Sequence, residues 1–272
     1  MSYYEALNLK SEPFSTSPDP YFFYPSSSHD SALKRLEIAI RLRRGLNVIL
    51  GDVGTGKTTL SRMLIQLFKD EPDFIFHMIL DPSYKTEFQF LSSLAKMFGV
   101  NPAFRSTLDY KDALEKYLFQ KGVDEKKTIV LLIDEGQKLT PSQVEILRTL
   151  LNYETNEFKL LQLVILSQIE LLPKIRRIRN FMDRINLKYI INPLDESETR
   201  ALIHFRLKQA GYDASGQELF TDSAIRHIYE YTQGYPRKIS MFCHDALEVL
   251  IMRNKKFVDQ DIIEEIMTRE VR

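Results

Sequence analysis

The chain is poor in the features that would tie it to the cell exterior or to a thiol-bound metal. Cys243 is its single cysteine in 272 residues. That excludes an intrachain disulfide and a thiolate zinc cluster, and leaves a small core residue as the expected role. Formal charge is zero, with 37 basic and 37 acidic side chains, so no global field draws the chain toward nucleic acid and any DNA contact needs a local patch. No apolar run approaches the roughly 18 residues of a membrane helix. The polar N-terminus, with Glu5, Asn8 and Lys10, lacks the charged-then-apolar order of a signal peptide. The expected address is the cytoplasm. The histidines, His29, His77, His204, His227 and His244, show no HExxH or comparable ligand spacing, so no metal beyond magnesium is supported. Internal repeats, low-complexity tracts and sustained heptads are also missing. What remains is 44% apolar content, enough core for one large domain and a smaller one.

The segment Gly51-Asp52-Val53-Gly54-Thr55-Gly56-Lys57-Thr58-Thr59 fits the phosphate-loop pattern GxxxxGK[ST] through Thr58. It lies between an apolar strand, Asn47-Val48-Ile49-Leu50, and a segment with Leu60, Met63, Leu64, Leu67 and Phe68 at helical spacing. Glycines let the backbone curl until successive N–H groups face inward, and the helix N-terminus adds its positive dipole end. Lys57 supplies a point charge for the β- and γ-phosphates and Thr58 a hydroxyl for magnesium. The chain is expected to bind a nucleoside triphosphate. Guanine selection would need an NKxD-type reader, and Asn254-Lys255-Lys256-Phe257 has Phe in the carboxylate position. ATP is therefore preferred.

Residues 1–30 carry Tyr3, Tyr4, Phe14, Tyr21, Phe22, Phe23 and Tyr24, and Ser17-Pro18-Asp19-Pro20 opposes a regular element. They read as an ordered arm packing on the ATPase core, either as plain core filling or near the nucleotide base. A helix is expected from His29 to Arg44, and strands at Leu46–Leu50, Phe74–Leu80, Thr128–Ile133, Leu160–Leu166 and Leu187–Ile191. Helical patterns at 86–98, 109–121, 141–152 and 169–179 alternate with those strands. The predicted fold for 31–193 is thus a three-layer α/β domain around a parallel sheet. After Asn192-Pro193-Leu194 only helices are expected, at 195–210, 221–232, 236–252 and 259–270, forming a small helical domain over 194–272.

Thr128-Ile129-Val130-Leu131-Leu132-Ile133-Asp134-Glu135 is an apolar strand ending in two carboxylates, a Walker B arrangement. Ligands of open α/β sheets collect beyond the carboxyl ends of the strands. Asp134 is the expected magnesium residue and Glu135 the base that polarises the attacking water; the bland alternative is an acidic pair that caps a turn. Gln168, after the fourth strand, either senses the γ-phosphate or caps the next helix. Lys174, Arg176, Arg177, Arg179 and Arg184 form a basic run with three open uses: a solvated face, a phosphate-contacting surface for duplex DNA, or an arginine finger for a neighbouring subunit. Arg237, in Gly234-Tyr235-Pro236-Arg237, reaches a γ-phosphate or is a plain surface arginine.

With these residues in place the chain resembles the AAA+ ATPases of the general secretion pathway protein A type, also called ExeA-like. The resemblance rests on Tyr4 to Phe14 with Ser17-Pro18-Asp19-Pro20 and Phe23-Tyr24, and on GDVGTGKTT at 51–59. It continues through Leu132-Ile133-Asp134-Glu135-Gly136-Gln137-Lys138-Leu139, Leu150-Leu151-Asn152-Tyr153-Glu154-Thr155 and Lys159-Leu160-Leu161-Gln162. It implies an AAA+ P-loop core with a C-terminal helical lid, Gln168 as sensor 1, Arg237 as sensor 2, and Arg184 of Asp183-Arg184-Ile185 as a trans-acting finger. It also implies closed rings of about six subunits. Two positions depart from the pattern: Gly136 stands where Ala is usual, and Ser167 where Gly is usual. Longer members continue into a transmembrane segment and a periplasmic peptidoglycan-binding region. This chain stops at Arg272, so envelope anchoring is not carried over, and a peripheral place at the inner face of the membrane would need a partner.

The leading expectation is an ATPase that switches or remodels a protein partner in assembling a secretion, pilus or polysaccharide-export system. The alternatives are a DNA-binding regulator similar to transposition AAA+ ATPases, resting on the basic run, and a nonhydrolysing nucleotide-gated scaffold.

Overall fold

The computed structural model describes residues 3–101, 106–178, 180–213 and 218–270. The chain divides into two compact units, one of Ser28–Val53 with Leu60–Ile191, the other of Met1–Ser27, Gly54–Thr59 and Asn192–Arg272.

The first unit is built on a five-stranded sheet of β1 (Leu46–Gly51), β2 (Phe74–Ile79), β3 (Thr128–Ile133), β4 (Leu161–Ser167) and β5 (Ile185–Ile191). Its order is β2-β3-β4-β1-β5, with every pairing parallel. β1, β3 and β4 are buried at every residue. Alternation is lost because central strands of a parallel sheet are covered on both faces, which is why their sequences read as unbroken apolar runs. β5, at an edge, alternates between half-buried and exposed positions until Ile191. α2 (Ser27–Arg41) precedes β1, and between the strands run α3 (Lys57–Leu67), α4 (Glu87–Met97), α5 (Thr107–Phe119), α6 (Pro141–Leu150) and α7 (Leu171–Arg176), numbered after a short α1 (Tyr3–Ala6). The core of this unit joins Val48, Leu131, Leu163 and Ile165 of the sheet to Phe90, Leu114, Leu147 and Phe181. Helix ends are closed locally. Thr140 and Gln143 form a reciprocal capping box with Pro141 in the first turn of α6, and the Gln143 amide also donates to Pro82 O at 3.1 Å.

The second unit holds α8 (Glu196–Gln209), α9 (Asp222–Thr232), α10 (Pro236–Met252) and α11 (Gln260–Glu270). Its core gathers Leu202, Ile225, Phe242, Leu247 and Ile262, together with Phe14 of the N-terminal arm. The arm packs into this helical core within its own unit. Phe14 is 1% exposed and meets the Phe220 ring edge-on at 6.0 Å. Lys10 N–H donates to Ala210 O at 2.8 Å, and Tyr3 OH lies 3.1 Å from His244 Nδ1. Apolar aromatics that a solvated tail would leave in water find this helical core instead. A 3-10 turn, Pro20–Phe22, forms where no regular element was expected, because the Asp19 carboxylate accepts from Tyr21 N–H at 2.9 Å and Pro20 pre-sets the backbone. Cys243 is fully buried, and burial pushes its thiol well above the usual range.

The positions of Gly136 and Ser167 form one steric unit. A Cβ at 136 would press into Ile165 Cγ2 and stand 3.1 Å from Ser167 Cβ and 3.2 Å from Leu166 O. The methyl removed at one position makes room beside the hydroxymethyl added at the other. Gly136→Ala is expected to destabilise the protein by about 1–3 kcal/mol through overpacking. Ser167→Gly in the same chain should recover part of that loss in denaturant titrations; purely additive losses would contradict the coupling.

His77 on β2 stacks on Phe98 at 4.4 Å, and burial pushes its imidazole down to about 4. As pH falls, the unfolded chain takes up this proton near 6.5, the folded chain only near 4. This contribution to stability is present above the unfolded value and is lost as pH drops through the window between the two. The melting temperature is expected to fall less steeply from pH 7 to 4 in His77→Phe than in the parent; equal slopes would contradict it.

Candidate nucleotide-binding site

Parallel register sets the carboxyl edge of the sheet. Leu50 of β1 pairs with Ser167 of β4, and Ile133 of β3 with Ile165. Gly51-Asp52-Val53, Asp134-Glu135 and Ser167-Gln168 therefore all leave the sheet along one edge, although they lie far apart in sequence. Asp134 is 3% exposed. Its N–H donates to Ile79 O at 2.8 Å, and its Oδ1 accepts from Glu135 N–H at 2.9 Å.

Glu135 stands in the left-handed region, φ 53° and ψ 36°, a conformation costing an L side chain roughly 1–2 kcal/mol. It opens a 3-10 turn, Gly136–Lys138, whose bonds include Lys138 N–H to Glu135 O at 2.9 Å. Gln137 lies at the centre of the polar contacts around this turn. Its Nε2 donates to Glu135 Oε2 at 2.7 Å. Its Oε1 accepts from Gln168 N–H at 3.1 Å and lies 3.2 Å from Ser167 Oγ. Its main-chain carbonyl accepts from Lys174 Nζ. Lys138 Nζ pairs with Asp81 at 2.8 Å, and that ammonium holds the Asp81 carboxyl below the usual carboxylate range. The functional reading of the sequence assigned Gln137 no role. The available signal was an amide two residues beyond the acidic pair, where a tight turn returns the side chain toward it.

Gln168 contributes through its main chain. α7 starts at Leu171 with Glu170 at the cap and no side-chain capping bond, so Gln168 does not cap it.

The rest of the loop belongs to the second unit. Gly54 and Gly56 have φ of 82° and 92°, conformations that only glycine adopts without cost. The helix α3 begins at Lys57. Lys57 is 8% exposed, Thr55 is fully buried and Thr58 is half-buried. Within the same unit Arg237 N–H donates to Gly54 O at 3.2 Å, and a Cβ on Gly54 would stand 3.1 Å from Arg237 Cβ. Gly234 sets this approach. Its φ is 73°, its carbonyl accepts from Leu194 N–H at 2.9 Å, and a Cβ there would run into the Leu194 main chain. Pro236 then opens α10, leaving Arg237 exposed in its first turn.

Arg184 lies elsewhere. It ends the 3-10 turn Met182–Arg184 ahead of β5, whose first residue, Ile185, pairs with Leu46 at the amino end of β1. That is the opposite edge of the sheet from Asp134 and Gln168. Its Nε is buried without a hydrogen-bond partner, beside a cavity of about 340 Å³ lined by Arg44, Lys159, Asp183 and Asn186 among others. The basic run does not form one face. Lys174 is bound to Gln137, Arg176 and Arg177 are exposed at the end of α7, and Arg179 lies outside the described residues.

Comparison with known proteins agrees with this architecture. The family model described as AAA domain matches residues 40–175. General secretion pathway protein A of Aeromonas hydrophila is 36% identical over 271 residues, covering 96% of this chain and 47% of that protein. Among solved structures, the Aeropyrum pernix ORC2 protein in ADPNP–ADP complexes superposes with a TM-score of 0.63 at 15% identity, covering 89% of this chain and 66% of that one. Drosophila ORC bound to DNA gives 0.66 at 20% identity, covering 97% and 67%. At these identities the superpositions speak for the fold alone. This chain spans about half the length of the secretion protein. The chain belongs to the AAA family, and over nearly all of its length it is similar to general secretion pathway protein A.

Proposed function

We propose that this chain binds ATP with magnesium through Gly51-Asp52-Val53-Gly54-Thr55-Gly56-Lys57-Thr58-Thr59 and hydrolyses it with Glu135 as base. The observation that carries the reading is the backbone of the loop. Gly54 and Gly56 are left-handed directly before α3, a conformation that glycine adopts without cost and that suits a loop whose N–H groups meet an anion at a helix start. Lys57 takes the β- and γ-phosphates. The Thr58 hydroxyl and the Asp134 carboxylate are each an oxygen donor of the hard kind that magnesium selects. When bound, the ion offsets phosphate charge. Glu135 orients and deprotonates water, Gln168 reports the γ-phosphate end, and Arg237, joined to the loop through Gly54 O, senses it from α10.

The work coupled to turnover is the switching or remodelling of a protein partner in secretion, pilus or polysaccharide-export assembly, a reading supported by the likeness to general secretion pathway protein A. Arg184, at the edge opposite Asp134, serves a neighbouring subunit in a nucleotide-dependent ring. Among the described residues no helix is long and apolar enough to cross a membrane. Duplex DNA is the weaker partner, since Lys174 is committed to Gln137 and the exposed remainder of the described run on α7 is Arg176 and Arg177.

Lys57→Ala is expected to lose ATP binding. Glu135→Gln is expected to keep binding and to lose turnover by about 100-fold or more; equal magnesium-dependent turnover in both variants and the parent would contradict the assignment. Mixing Arg184→Ala with Lys57→Ala subunits should restore part of the activity that each lacks alone, and no rescue at any ratio would remove the trans role.

A further inference from the structure

The carboxylate at Glu135 is not held by its own backbone alone, and the residue that holds it is also bonded to the end of another strand. Gln137 Nε2 meets Glu135 Oε2 at 2.7 Å while Gln137 Oε1 receives Gln168 N–H at 3.1 Å. A main-chain N–H only donates, so the atom it meets is the amide oxygen, and this fixes which way the Gln137 side chain is turned. The NH2 group must then face Glu135. One oxygen of the carboxylate is thereby occupied and the direction of the other is set. The turn carrying Gln137 is itself pinned by Lys174 on its carbonyl and by the Lys138–Asp81 pair. It sits in a place with no room for a Cβ at Gly136.

We propose that Gln137 is a positioning residue for hydrolysis: it ties the aim of the Glu135 carboxylate to the position of the main chain at Gln168, where β4 ends. A shift at the end of β4 moves the amide oxygen's donor, turns the amide, and re-aims the base without any direct contact between Glu135 and Gln168. The inference rests on the ATPase reading above and adds the device that sets its base.

The test uses the full chain and compares Gln137→Met, Gln137→Glu and Glu135→Gln with the parent. Each is measured for magnesium-dependent ATP turnover against pH, for affinity toward a fluorescent ATP analogue, and for melting temperature. Gln137→Met keeps the volume and removes both hydrogen bonds. It should lower kcat by about 10- to 100-fold, as misplacement of a catalytic group does, with KM and analogue affinity within about twofold of the parent. Gln137→Glu keeps an oxygen for Gln168 N–H and removes the N–H donor to Glu135. It should lower kcat as Gln137→Met does, again with KM within about twofold of the parent. A residue that only filled space would leave kcat of both variants at the parent's value. That result, with the parent active and Glu135→Gln inactive, overturns the inference and leaves the ATPase reading standing. A parent without turnover, or an active Glu135→Gln, overturns both.

Discussion

Parallel pairing in fixed register is the constraint on which the rest depends. Leu50 opposite Ser167 and Ile133 opposite Ile165 bring three chain segments to a single sheet edge. A slip of one residue in β3 or β4 would turn Asp134 or Ser167 to the other face and bury the acidic pair against a helix layer. The central strands resist such a slip because both faces are filled: β1, β3 and β4 have no exposed position. The hydrophobic effect that forms the sheet thus also fixes the polar edge. Burial is the cause and the placement of carboxylates its consequence.

At that edge three consecutive residues are held by their surroundings. Glu135 is left-handed, Gly136 is packed without space for a side chain, and Gln137 bridges two segments. Strain of this kind persists only where surrounding bonds over-determine it. Here they are the Asp134 and Gln137 bonds to Glu135 and the Lys174 bond to the turn. In the helical unit the same logic applies to Gly54 and Gly234, whose left-handed turns allow Arg237 N–H to reach the loop carbonyl. The interactions that hold the backbone in place are local and polar, and those that hold the polar groups in place are distant and apolar.

The strand positions were legible because buried parallel strands write themselves as runs such as Thr128–Ile133, and the loop because Gly54, Gly56 and Lys57 stand at a spacing that phosphate geometry demands. β5 begins earlier than expected, at Ile185, since an edge strand carries polar residues such as Asn186 and Lys188 that hide its start. The aromatics of the arm announce burial, and the assembled helices around Phe220 and His244 receive Phe14 and Tyr3. Gln137 carried only the signal of an amide just beyond the acidic pair, because the rest of its meaning comes from Ser167 and Gln168, which reach it through the pairing of β3 with β4. The exchange of bulk between Gly136 and Ser167 was visible as two separate departures and became one feature once their Cβ positions were known.

The central proposal is that this chain binds ATP with magnesium and that Asp134 is a magnesium residue, and it is tested most directly by calorimetric titration of ATP with and without magnesium into the parent and Asp134→Asn. The account predicts that magnesium tightens ATP binding in the parent and that this gain disappears in Asp134→Asn, with metal-free affinity unchanged. An equal gain from magnesium in both proteins, or no binding of ATP by the parent, would contradict it.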